Sequence, residues 1–93
     1  MAVYLVTYDL KLGNGTHSYQ DLYDAMDAYQ NCKVLLSVRL IETSIGSKAL
    51  QDDLLQHMDP KDRLFVTELR KGQFDYRAMA GINAWLEKHP PRV

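Results

Sequence analysis

Apolar positions follow two rhythms along this chain, and the changes between them mark out its elements. Residues 2 to 10, Ala-Val-Tyr-Leu-Val-Thr-Tyr-Asp-Leu, are almost unbroken hydrophobic up to Asp9. A short run rich in Val, Tyr and Leu suits a strand buried on both faces. Lys11-Leu12-Gly13-Asn14-Gly15-Thr16 reads as a loop around its Gly-Asn-Gly centre. The period then becomes helical: Tyr19, Leu22, Tyr23, Met26 and Tyr29 form one stripe, and Asp21, Asp24 and Asp27 another. Ser18 is placed to cap this helix, with Asp21 in capping-box spacing, and Asn31 is placed to stop it.

Residues 33 to 43 are β-branched and apolar, giving two strands that reverse near Ser37 or one long bent strand. Gly46 and its neighbours introduce a second helix over about 47 to 58. Leu50, Leu54, Leu55 and Met58 point inward, and Lys48, Asp52, Asp53 and Gln56 outward. Asp59-Pro60 ends it. A strand over 63 to 69 precedes the break at Lys71-Gly72, and Asp75 is placed to cap a third helix reaching about Lys88. Tyr76, Met79, Ile82, Trp85 and Leu86 form its apolar face, Gly81 inside it marks close packing, and Pro90-Pro91 close it.

The order β-α-β-β-α-β plus a terminal helix predicts an α+β, ferredoxin-like antiparallel sheet with two helices on one face and an added C-terminal helix. One domain spans residues 1–93, with its core over about 2–69 and the extra helix over about 75–88. Two helices cover only one face of such a sheet. Yet Val3, Leu5, Ile41, Phe65 and Leu69 on one parity, and Tyr4, Val6, Tyr8, Leu40, Leu64 and Val66 on the other, are all apolar. The second face therefore needs the added helix, a second subunit or a ligand, and a homodimer is the most economical cover.

Composition narrows the function classes. Hydrophobic residues make up 46% of the chain, enough for a core, with no run long enough to span a membrane and no signal-peptide pattern at the start. Cys32 is the single cysteine, which fits a reducing, cytoplasmic setting. A net charge of −1 supplies no global field for nucleic acid. His17, His57 and His89 share no metal-ligand spacing, and His17 alone lies where a general base would be useful.

Asp9 is where chemistry is expected. A carboxylate at the end of an apolar strand must be hydrated, paired or metal-bound, since an ionised group left dry costs several kcal/mol. A loop amide, Lys11 and Arg39 are the candidate partners. Arg39, inside an apolar strand, either clamps a phosphate or pairs with Glu42, Glu68 or an Asp. Tyr8 is either a substrate contact or a strand aromatic. The Asp21, Asp24, Asp27 stripe is a solvated face or a surface for a basic partner.

Tyr4-Leu-Val-Thr-Tyr-Asp9-Leu, a helix, Leu36-Ser-Val38 with a following strand, a second helix and Asp62-Arg-Leu-Phe-Val66 together resemble one family over about residues 3 to 69. It is the small subunit of the CRISPR spacer-acquisition complex and its stand-alone relatives, VapD-type endoribonucleases included. The resemblance implies a ferredoxin-like homodimer, which in some members is a divalent-metal endonuclease on RNA or DNA and in others a scaffold for protein and duplex DNA. It implies that Asp9 from each subunit holds one Mg²⁺ or Mn²⁺ and activates water. Tyr8, Lys11, Ser37 and Arg39 would then contact substrate or phosphate. Arg39 stands where the family carries Phe, and only Lys11 and His17 are basic between Asp9 and the first helix. A binding or scaffold role is therefore expected ahead of catalysis, with an Asp9-dependent endonuclease as the alternative. A protein-interaction module working through the first or third helix is the second alternative.

Overall fold

The computed structural model describes residues 1–11 and 19–93; the Gly-Asn-Gly loop, the Ser18 cap and His17 lie outside the described residues. The elements are β1 (Ala2–Asp9), α1 (Gln20–Asp27), β2 (Gln30–Leu35), β3 (Val38–Thr43), α2 (Ser47–Leu55), β4 (Arg63–Leu69) and α3 (Ile82–Lys88). The strands make one antiparallel sheet in the order β2-β3-β1-β4. The first apolar run is therefore an inner strand: Val6 faces Arg39 on one side and Val66 on the other.

The two parities of β1 feed two cores. Ala2, Tyr4, Val6 and Tyr8 pack with Leu22 and Met26 of α1, Ile41 of β3, and Leu50 and Leu54 of α2. Val3 and Leu5 turn to the opposite face and pack with Val34, Leu40 and the Ile82, Trp85 and Leu86 side chains of α3. Each such residue, fully buried, contributes roughly 1.5–3 kcal/mol relative to exposure. The C-terminal segment is thus a cover for the second face, and an incomplete one. Phe65 stays 65% exposed, and Leu35 and Leu36 at the β2–β3 turn stay 47% and 79% exposed.

Several boundaries differ from the sequence expectation, each for a local reason. β1 ends at Asp9 rather than Leu10. α1 ends at Asp27 rather than reaching Asn31, because Gln30 and Asn31 are taken by the β-ladder opposite Glu42 and Ile41. Asn31 Nδ2 donates to the Tyr29 carbonyl (2.9 Å) across that turn. The 33–43 run splits into two strands around Leu36-Ser37, and the first of them begins at Gln30. α2 stops at Leu55; beyond it His57 and Met58 amides donate three residues back to Leu54 and Leu55 (3.0 and 3.2 Å), a tightened last turn. Leu55 points outward, because Leu50 and Leu54, four residues apart, already define the buried stripe.

The third helix departs most. It starts at Ile82, and residues 73–78 form an irregular strap in place of the helix expected from Asp75. The strap is claimed by the sheet edge: the Met79 amide donates to the Val34 carbonyl (3.0 Å), while Tyr76 and Met79 remain exposed. Gly81 does not mark close packing. It is the N-cap of α3 at φ +91°, and a Cβ there would meet no atom within 4 Å, so its role is the left-handed turn from strap to helix. Polar contacts then pin the segment. His89 Nδ1 lies 2.9 Å from Glu42 Oε1 and its ring lies against Trp85. Arg92 donates twice to the Glu68 carboxylate (2.7 and 2.8 Å), and its carbonyl accepts from the Lys71 amide (2.8 Å).

Candidate functional site

The residues singled out for chemistry divide between opposite sides of the sheet. Asp9 shares the parity of Val3, Leu5 and Thr7 and emerges at the open end of the α3 face. Its carboxylate is exposed and lies 2.7 Å from Lys11 Nζ. Its partner across the β1–β4 ladder is Arg63, also exposed. The carboxylate at the end of the first apolar run is therefore exposed, with the Lys11 ammonium against it and Arg63 on the facing rung.

Arg39 stands opposite Val6 on the other face, under α1. Its Nη1 donates to Asp27 Oδ1 (2.7 Å) and Asn31 Oδ1 (3.0 Å), and the guanidinium lies over the Tyr23 ring at 5.8 Å. The guanidinium is mostly buried, and its Nε has no hydrogen-bond partner among the described residues. This arrangement ties α1 to β3 and leaves Arg39 turned away from Asp9. Tyr8 is 7% exposed and its ring belongs to the first core, so it presents no surface to a substrate. Ser37 reaches β1 through its carbonyl, which accepts from the Tyr8 amide (3.1 Å). Of the predicted set, Asp9 and Lys11 come together as side chains, Tyr8 and Ser37 meet through backbone, and Arg39 joins neither pair.

A second grouping, of which the sequence offered only the acidic stripe of α1, lies between the helices. Asp21, Asp24, Ala25, Ala28, Tyr29, Asp53 and His57 line an open groove of about 570 Å³. Tyr29 donates its hydroxyl to Asp53. Burial, that hydrogen bond and the carboxylate's charge push the Tyr29 phenol up to about 12. The acidic stripe of α1 thus serves two purposes: Asp21 and Asp24 line the groove, and Asp27 holds Arg39. The only hint in the sequence was the acidic spacing itself; the contribution of Asp53 depends on how α1 and α2 pack.

Cys32 is half-buried against the second core, and burial pushes its thiol above the usual range despite a hydrogen bond to the Leu40 backbone. That is the setting of a small hydrophobe, not of an activated nucleophile. Among the described residues, no three His, Cys, Asp or Glu side chains converge as a metal-binding group. No described helix is long and apolar enough to cross a membrane. No family model matches the chain. No solved structure matches it either.

Proposed function

We propose that this chain is a ferredoxin-like homodimeric binding or scaffold module, similar in plan to the small subunit of the CRISPR spacer-acquisition complex. The observation that carries the reading is the incompletely covered sheet: Phe65 of the outer strand β4 remains 65% exposed beyond the reach of α3. A large apolar side chain left open on an outer strand marks an association edge. The strand order β2-β3-β1-β4 and the packing of both α1 and α2 on one face support the ferredoxin-like plan.

The setting of Asp9 favours binding over catalysis. A Mg²⁺ or Mn²⁺ ion there would displace the Lys11 ammonium and sit beside the Arg63 position, so the residues of one chain do not fit a divalent cation. Pairing of five of the eleven basic side chains leaves fewer of them for a phosphate backbone. Lys11, Arg39, Lys48, Arg70 and Arg92 each lie against a carboxylate, and affinity for nucleic acid comes from cations that neutralise phosphates.

Two measurements test the reading together. Light scattering at micromolar concentration is expected to give the mass of a dimer, and a monomer would overturn the reading. Short RNA and DNA incubated with Mg²⁺, Mn²⁺ or chelator are expected to survive equally with wild type and Asp9→Ala. Metal-dependent cleavage lost in Asp9→Ala would make the chain an endonuclease instead.

A further inference from the structure

We infer that two copies of this chain join edge to edge through β4, antiparallel about a two-fold axis at Val66, so that two four-stranded sheets become one. The inference rests on the homodimer reading above and names its interface.

The two edges of the sheet are unequally protected. On β2 the register slips between Lys33 and Leu35, Lys33 is exposed, and the Met79 amide occupies the Val34 carbonyl. Bulges, lysines and a covering segment are the devices that keep an edge from pairing. β4 carries none of them. Arg63–Leu69 contains no Pro, Gly or Lys, and its register with β1 is continuous from Val3↔Leu69 to Asp9↔Arg63. No described strand pairs with its outer side, and the bridge between Arg70 and Arg92 lies past its end. Ser47, Lys48 and Gln51 of α2 stand back from Leu64, Phe65 and Val66 across an open groove of about 330 Å³, which leaves the edge accessible.

The strand complements itself. A two-fold axis perpendicular to the sheet keeps like faces together, so residues of equal parity must stand opposite each other. Centring the axis on Val66 uses all seven residues of β4. Val66 then meets its own copy, Phe65 meets Thr67, Leu64 meets Glu68, and Arg63 meets Leu69. No like charges face each other. Just beyond the strand, Asp62 comes opposite Arg70. The two Phe65 rings become diagonal neighbours roughly 7–8 Å apart, within aromatic reach. Phe65 is the most exposed large apolar side chain in the described strands, and this arrangement covers it. An unrelated extended peptide would also fit an open edge, but it does not account for this self-complementary register.

Sedimentation velocity on the full chain tests the interface, with thermal melts confirming that each variant is folded. Wild type is expected to be a dimer. Phe65→Lys is expected to weaken it by at least about tenfold, through loss of the ring and gain of charge on two symmetric rungs. Adding Thr67→Glu to Phe65→Lys places opposite charges on the facing rungs and is expected to restore the dimer. Leu36→Lys, at the far turn, is expected to leave it intact. A wild-type dimer indifferent to Phe65→Lys, or one broken by Leu36→Lys, would overturn this interface and leave the homodimer standing. A wild-type monomer would overturn both.

Discussion

Truncating Ile82 to alanine measures how firmly α3 is held to the sheet. Ile82 is the first residue of the helix and is 4% exposed. It lines a small cavity of about 70 Å³ together with Leu5, Leu40 and Leu86. The substitution removes three carbons, which at about 0.8 kcal/mol each comes to about 2.4 kcal/mol of lost transfer energy. The vacated space joins an existing cavity, so collapse is limited and a cavity term of roughly 1 kcal/mol adds to it. The expected destabilisation is therefore about 3 kcal/mol, or a fall in Tm of about 12 °C or more for a domain of this size. Trp85 is the only tryptophan and sits in the second core, so its fluorescence reports this packing directly. Far-UV circular dichroism in the same urea titration follows the whole sheet. If the fluorescence transition precedes the dichroism transition in Ile82→Ala, the C-terminal cover opens as a unit of its own. A loss below about 1 kcal/mol with coincident transitions would refute the argument that apolar packing docks α3.

Two further outcomes follow from the first face. Arg39→Met keeps the apolar stem and removes a guanidinium whose Nε has no hydrogen-bond partner among the described residues. In urea unfolding it should fall within about 1 kcal/mol of wild type, whereas Arg39→Ala should cost about 2 kcal/mol by also removing packing; equal losses would assign the effect to charge. Tyr29 has a folded-state pKa raised from 10.0 to about 12, so its stabilising contribution is fully present below pH 10 and is lost as pH rises toward 12. Absorbance titration of phenolate should show a late-titrating component that vanishes in Tyr29→Phe. The stability gap between the two proteins should narrow over the same window, and a gap independent of pH would sink the assignment.

The strands were legible because their pattern is local. The run ending at Asp9 and the whole of β4 are visible in apolar spacing alone, whereas the split around Ser37 was one of two readings of the 33–43 run. Boundaries that depend on competition were not. Asn31 suits a helix stop until the ladder with Ile41 is known, and Asp75 suits a cap until the strap's bond at Val34 is known. The same holds for the site. The position of Asp9 at a strand end could be read directly, but its separation from Arg39 is a matter of register: Arg39 pairs with Val6 and so faces the helices, while Asp9 lies three residues on with the opposite parity. Nothing in the spacing of either strand fixes which residues will stand opposite.

The inner position of β1 bears on how the chain is made. β1 precedes β3, β4 and α3 in the chain, yet it is flanked by β3 and β4, and one of its faces is covered by α3. It can close against β3 once about half the chain has emerged, but its other edge waits for Arg63–Leu69 and its second face for Ile82 onward. During synthesis, an apolar inner strand is therefore left open until β4 and α3 arrive, and non-local pairing of this kind is slow. Nascent chains stalled before β4 should be the form that chaperones hold, and emergence of β4 and α3 should be the step that ends that hold.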